Sequence, residues 1–296
     1  MTTLLSLIGE QPMPALLPDR FLQPERTLLV CTERTKPVAQ RLQELLPHAQ
    51  IEPTDPYDPP AILAALGKLL PAGEAAIVNL TGGTKMMMLA AFALAMQRGW
   101  DFVYLESEHT PNRLHRYSLA DGHLRRISSQ ELPALISAAD YLNAHLPGFD
   151  ETGCSRDEKG HLTIGGRFEQ AVYDALKDNF EVLAGVRPKG VANQIEIDLV
   201  IRRGNRVGIA EVKLGGGDAR PKQGIDQLST AGGRVYLGTY TSKFLITGGR
   251  PAPSIKRLAS ERGVTIIPLP GYDDGLPLKR DDQARLLGVM REKLAN

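Results

Sequence analysis

Three charged side chains in the second half of this 296-residue chain stand where apolar ones are expected: Asp198, Glu211 and Lys213. Residues 195–201 read Ile-Glu-Ile-Asp-Leu-Val-Ile, an alternating strand pattern. Ile195, Ile197, Leu199 and Ile201 share one face, and Glu196 and Asp198 share the other. The next run, Val207 to Lys213, puts Glu211 and Lys213 on one face, two residues apart, at the end of an otherwise apolar strand. Burying such groups is costly unless they pair with one another or hold a cation. Their hard oxygens suit Mg²⁺ or Mn²⁺. A divalent ion there would acidify water and neutralise charge on a scissile phosphate, while Lys213 orients the water or stabilises the pentacovalent oxygens. Glu169 opens the helical stretch before these strands and borders its apolar stripe, Val172 and Leu176. It is either a third acid of the site or a surface Glu favoured by the helix dipole. Gln227, in the helical segment after Lys213, could hold a phosphate or the water, or simply face solvent.

A second constellation lies in the first half, Asn79-Leu80-Thr81-Gly82-Gly83-Thr84-Lys85, between a strand and a helix. Gly82 and Gly83 let the backbone approach a ligand closely, Thr81 or Thr84 can cap the helix, and the free N–H groups of its first turn attract anions. The spacing is neither that of a Walker A loop nor that of a dinucleotide fingerprint, so a purely structural turn stays an alternative. The six histidines show no metal-binding spacing, and no nucleophile-elbow serine is present.

The elements that must position these residues alternate. Leu4–Ile8, Thr27–Cys31, Ala75–Leu80 and Phe102–Leu105 read as strands, separated by helical patterns, which implies right-handed crossovers and a largely parallel sheet. Arg113–Leu119 and His123–Ile127, joined by Asp121-Gly122, read as a hairpin, and 131–146 as a helix. The polar stretch from Asp150 to Gly160 reads as a linker. Beyond it come a helix from Gly166 to Asp178, strands near 180–186, 194–202, 206–213, 235–237, 244–247 and 264–267, and helices over 222–229, 253–262 and 281–294. From Met86 to Met96 the first-half helix carries no charge, so it must be covered on more than one side, by a second subunit in a two-fold homodimer or by another helix of the same chain.

Bulk composition is ordinary: 42% hydrophobic, 23% charged, formal net charge +1. Residues 1–145 hold 12 Lys+Arg against 15 Asp+Glu, and the remainder 23 against 19, so the second half is the better suited to a phosphate backbone. Two distant cysteines, no basic leader and no apolar run near the roughly 20 residues of a spanning helix lead us to expect a cytoplasmic protein without membrane association.

Leu7-Ile8-Gly9-Glu10-Gln11-Pro12-Met13-Pro14, together with Leu80-Thr81-Gly82-Gly83-Thr84-Lys85-Met86-Met87, resembles the CRISPR-associated Rossmann fold (CARF) domain over roughly residues 1–130. The resemblance implies a dimeric sensor of cyclic oligoadenylate, the ring lying across the dimer axis. Thr81, Gly82, Gly83, Thr84 and Lys85 would contact phosphates and riboses, and Gly9, Glu10, Gln11 and the Cys31-Thr32-Glu33 segment would line the rest. The ordered set Glu169, Asp198, Glu211-Val212-Lys213 and Gln227 resembles the PD-(D/E)xK nuclease superfamily over roughly residues 161–240, although no proline precedes Asp198. That likeness implies Asp198 and Glu211 as metal ligands and Glu169 as an additional acid, with Lys213 as the catalytic lysine. The expected architecture is α/β: a Rossmann-like CARF domain with a parallel sheet over 1–145, then linker and restriction-endonuclease-like domain over 146–296. Together the two resemblances imply a type III CRISPR ancillary nuclease for antiviral defence, allosterically activated by cyclic tetra-adenylate and cutting RNA, DNA or both with a divalent metal. Two other readings stay open: a ligand-responsive module that binds nucleic acid without cutting it, and a constitutive repair-type nuclease.

Overall fold

The computed structural model describes residues 2–71, 73–107, 112–120, 123–190, 195–215, 219–233 and 236–295. Two compact units share the chain, 1–135 and 136–296, each built on its own sheet.

In the first unit the elements run β1 (Thr3–Leu7), α1 (Met13–Leu22), β2 (Arg26–Cys31), α2 (Lys36–Leu45), β3 (Ala49–Pro53), α3 (Pro59–Leu69), β4 (Ala76–Asn79), α4 (Lys85–Arg98), β5 (Asp101–Glu106), β6 (Arg113–Ala120) and β7 (His123–Glu131). Sheet order is β3-β2-β1-β4-β5-β6-β7. The pairs from β3 to β5 are parallel, and β6 and β7 continue antiparallel. This matches the expected Rossmann-like arrangement. Successive crossovers move outward from β1 to β3, then return to the other side of β1 at β4, which makes the β1–β4 gap the topological switch point where open α/β sheets bind ligands. Strands β1, β2 and β4 are buried on both faces, as the continuous apolar runs require.

Helix α1 was not apparent from the sequence because Pro14 and Pro18 obscure its pattern. Pro14 sits in the first turn, where no N–H is needed. Pro18 lacks the N–H that would bond the Pro14 carbonyl, and that carbonyl accepts from the Asn79 side chain instead, at 2.8 Å. The expected Asp121-Gly122 turn lies outside the described residues.

The second unit contains α5 (Ala138–His145), β8 (Phe149–Glu151), α6 (Ile164–Leu176), β9 (Glu181–Pro188), β10 (Ile197–Arg203), β11 (Arg206–Lys213), α7 (Ala219–Ala231), β12 (Ser242–Thr247), α8 (Pro253–Glu261), β13 (Val264–Pro268) and α9 (Arg280–Lys293). Sheet order is β13-β12-β11-β10-β9-β8, antiparallel from β8 to β11 and parallel from β11 to β13. Phe168, Val172, Leu199, Ile201, Val212, Leu286 and Met290 share one core, so α6 and α9 cover one face of this sheet.

Several expectations change. The helix expected over 131–146 is shorter: β7 runs on to Glu131, and α5 begins at Ala138 behind a Ser137–Asp140 capping box. The units divide at Leu135/Ile136, so α5 belongs to the second one, where the Tyr141 hydroxyl bonds the Leu237 carbonyl at 2.8 Å. The stretch read as a linker is structured instead. Its start forms β8 against β9, and Cys154 is buried in the core. No strand forms at Tyr236–Leu237, which lie in a turn, and Val235 is outside the described residues. None of the described helices is long and apolar enough to cross a membrane.

Candidate functional site

Strands β10 and β11 pair as Leu199↔Ala210 and Val200↔Ile209, and the same register carried one step further brings Asp198 opposite Glu211. Here the ladder gives way to side-chain chemistry. The Val212 N–H donates to Asp198 Oδ2 at 2.7 Å, and Lys213 Nζ lies 3.2 Å from that oxygen and 2.6 Å from Glu211 Oε2. Strand alternation explains the convergence: Ala210 and Val212 enter the apolar core while Glu211 and Lys213 take the opposite face. Helix α7 lies against that face. It approaches closely because residue 224 is glycine, where a Cβ would fall 3.5 Å from Lys213 Cγ and 3.6 Å from Glu211 Cβ.

Glu211 is 2% exposed. Burial, reinforced by the Asp198 charge, pushes its carboxyl up to about 8. For Lys213 burial works the other way, but Asp198 and Glu211 outweigh it and hold the ammonium above its ordinary value. Two crowded carboxylates thus share one lysine, a donor set of hard oxygens that fits a divalent cation. Among the described residues no three His, Cys, Asp or Glu side chains gather as a ready metal cage. Mg²⁺ does not demand one, because it binds through one or two carboxylates and keeps several waters.

Glu169 falls in the second turn of α6, not the first, and is 6% exposed. Both its oxygens are engaged: Ser155 N donates to Oε2 at 2.8 Å and Ser155 Oγ to Oε1 at 2.9 Å. Burial and the Asp198 charge raise its pKa against those two bonds and Lys213. Gln227 lies one turn beyond Gly224 on α7, and its Oε1 is buried without a hydrogen-bond partner among the described residues. Of the residues expected at this site, Asp198, Glu211 and Lys213 come into direct contact, while Glu169 interacts with Asp198 and Lys213 through charge alone.

The Gly-Gly turn of the first unit follows β4, beside the turn after β1 and at the switch point. A Cβ on Gly82 would fall 2.2 Å from the Leu7 carbonyl oxygen, and Gly83 adopts φ +78, so both positions demand glycine. Gly9 faces this turn, a Cβ there falling 3.4 Å from Gly83 N. Thr84 caps α4 by accepting from Met87 N at 3.2 Å and itself donates to the Pro56 carbonyl at 2.8 Å. Lys85 follows, exposed, as the first helical residue. Thr81 is occupied structurally: its hydroxyl donates to Asn79 Oδ1 at 2.7 Å and accepts from Leu105 N at 2.9 Å. Glu10 pairs with Arg34, and Thr32 is locked in reciprocal backbone–side-chain bonds with Thr35. Gln11 differs, since both of its side-chain polar atoms are buried without a hydrogen-bond partner among the described residues. Two further residues act at these sites without a role expected from the sequence: Asn79, which opens the glycine-turn constellation, and Ser155. Asn79 is fully buried and ties the turn to α1, and a polar residue closing an apolar strand was its available signal.

No protein-family model matches the sequence, and no curated protein matches it. Solved structures do resemble it. Can2 from Sulfobacillus thermosulfidooxidans, in complex with cyclic tetra-adenylate, matches with TM-score 0.75 and 16% identity over 100% of both chains. Protein VC1899 from Vibrio cholerae matches with TM-score 0.69 and 14% identity over 100% of this chain and 99% of its own. A type III CRISPR defence DNA nuclease activated by cyclic oligoadenylate matches with TM-score 0.61 and 16% identity, covering 97% of this chain and 51% of its own. Across its full length, this chain has the two-unit α/β fold seen in Can2.

Proposed function

We propose that this chain is a type III CRISPR ancillary nuclease, activated by cyclic tetra-adenylate in its first unit and hydrolysing phosphodiester bonds in its second. The observation that carries the reading is the contact of Asp198, Glu211 and Lys213 at the end of two buried strands. A fold that needed only to bind nucleic acid would have no use for so costly a cluster. Support for the activator comes from the full-length fold likeness to Can2, which was solved with cyclic tetra-adenylate. The glycine turn and the unpartnered Gln11 add to it. A phosphodiester ring is a polyanion, the kind of ligand that the α4 N-terminus and Lys85 attract.

In this reading the nuclease site is of the PD-(D/E)xK kind, and Asp198 and Glu211 hold Mg²⁺ or Mn²⁺. The ion supplies charge neutralisation at the phosphate and acidification of water. Lys213 neutralises the acid pair and, as a fixed cation, orients the attacking water or stabilises a developing phosphoryl oxygen. Gln227 presents its amide from α7 to orient water or a non-bridging oxygen. In the hydrolysis the water oxygen bonds phosphorus and the P–O bond to the leaving sugar oxygen breaks; one water proton ends on that leaving oxygen, and the other stays with the new phosphomonoester or passes to solvent.

The active species is a two-fold homodimer formed through α4. This helix buries Met87, Ala90, Ala91 and Leu94 within its own unit but leaves Met86, Leu89 and Met96 exposed at 37, 49 and 42%. The apolar face starts beside the glycine turn, so a second copy seated on it brings two turns to one symmetric ring.

The test is cleavage of labelled RNA, single-stranded DNA and duplex with Mn²⁺, with and without cyclic tetra-adenylate. Cleavage that needs both metal and activator is the expected result. Cleavage without activator would identify a constitutive nuclease, and activator-dependent binding without cleavage a non-cutting module.

A further inference from the structure

We propose that Ser155 is a positioning residue for Glu169, fixing that carboxylate as the third acid of the candidate nuclease site. The inference rests on the nuclease reading and deepens it. Ser155 donates twice, from its backbone N–H and from its hydroxyl, one bond to each oxygen of Glu169. A carboxylate held at both oxygens cannot rotate freely about its terminal torsion, so its remaining lone pairs keep a fixed direction.

The donor itself is immobilised. Thr152 N and Oγ1 both donate to the Gly185 carbonyl at 2.9 Å, and Gly153 N donates to the Ala184 carbonyl at 3.0 Å. Thr163 N donates to the Ser155 carbonyl at 3.0 Å, and Cys154 is buried among core residues that include Phe168 and Val172. Two glycines let the segment lie where it does. A Cβ at Gly185, where φ is +64, would fall 2.1 Å from the Gly153 carbonyl oxygen, and one at Gly166 would fall 1.9 Å from the Ser155 carbonyl oxygen. Residues 152–155 are thus a strap clamped between β9 and the start of α6, and it presents a pair of donors to Glu169. Such clamping is the mark of a supporting shell built to hold a functional side chain in one rotamer.

The experiment uses the full chain with Ser155→Ala, Glu169→Ala, both together, and Ser155→Thr. Two readouts apply: kcat and KM for oligonucleotide cleavage with activator present, and Mn²⁺ titration calorimetry without substrate. Ser155→Ala should lower kcat about tenfold at unchanged KM and weaken Mn²⁺ binding by about the same factor. Ser155→Thr, which keeps the hydroxyl, should restore both, and Ser155→Ala should add nothing in the Glu169→Ala background. Wild-type kcat and Mn²⁺ affinity in Ser155→Ala, or losses that simply add, would overturn the inference. If the alanine variant melts early, Ser155→Thr against Ser155→Val, equal in shape and differing in the hydroxyl, makes the same comparison. Mn²⁺ binding lost in Glu211→Gln yet unchanged in both Ser155→Ala and Glu169→Ala would discard the Ser155–Glu169 pair and leave the site standing. A wild-type chain that cuts no substrate would refute the nuclease reading, while the Mn²⁺ titrations still decide on Ser155.

Discussion

Glu211 and Lys213 are adjacent members of one cluster, yet their removal should have opposite effects on folding. Glu211 is a buried acid whose ionised form is penalised by its surroundings and by Asp198. Glu211→Gln removes that penalty and leaves Lys213 paired with Asp198 at 3.2 Å. Lys213→Ala removes the one cation shared by two carboxylates and should cost about 3 kcal/mol, as breaking a buried pair does. Cleavage should fall by about a thousandfold in both. Denaturant melts beside cleavage assays check the contrast, and full activity in either variant would place the chemistry elsewhere. A second buried acid, Asp19, gives a pH-dependent prediction. Burial raises its pKa above 3.8, against opposing contributions from Thr27 and His48. An acid whose folded-state pKa is raised stabilises the fold only while protonated, and that advantage is lost as pH rises through the folded value. Asp19→Asn should therefore stabilise the protein most at neutral pH, with the gain shrinking to nothing below 3.8. Urea melts from pH 3 to pH 8 measure it, and a gain that grows toward acid would reverse the sign.

Glycines set the packing of elements, and two of them make opposite predictions. Gly82→Ala drives a Cβ to 2.2 Å from a backbone oxygen of β1, so the β4–α4 turn must open. The cost should be about 3 kcal/mol, with activator binding lost and Mn²⁺ binding in the second unit kept. Gly67, inside α3, has open space around its Cβ position, and Gly67→Ala should stabilise by about 1 kcal/mol. Thermal melts of the two variants separate a glycine required by geometry from one that is merely tolerated. The same distinction explains what was legible in the sequence. Buried parallel strands announce themselves as apolar runs, and Asp198, Glu211 and Lys213 stood out because strand alternation exposes any charge on the wrong face. Helix α1 was hidden because the loss at Pro18 is compensated by Asn79, whose amide bonds the Pro14 carbonyl 65 residues away in sequence. Strand β8 spans only Phe149–Glu151, too short and polar for periodicity, and its identity comes from pairing with β9. Ser155 was invisible for a similar reason: its partner lies 14 residues away, and a lone serine in a polar stretch carries no pattern.

At the scale of the whole molecule, the first unit must, in the proposed reading, bind its activator more tightly in the state in which the second unit cuts, and the coupling free energy acts in both directions. The proposed dimer belongs to the same balance, because in that reading each copy supplies one glycine turn to the ring. Leu89 is 49% exposed on α4, contributes nothing to its own unit's buried core, and lies on the face proposed to meet a second copy. Leu89→Asp should leave each unit folded while placing two like charges near the two-fold axis of the proposed dimer. Sedimentation at micromolar concentration should then show a monomer for the variant and a dimer for the parent chain. Cyclic tetra-adenylate at about 100 times its Kd should stabilise the parent by about 2.7 kcal/mol and the variant by almost nothing, because under the proposed two-copy site a monomer offers the ring half of its contacts. Activated cleavage should be lost with it, while Mn²⁺ titrations remain at parental affinity because Asp198 and Glu211 come from one chain. A monomeric variant that still answered to the activator would separate sensing from dimerisation. A dimeric variant would move the interface off α4.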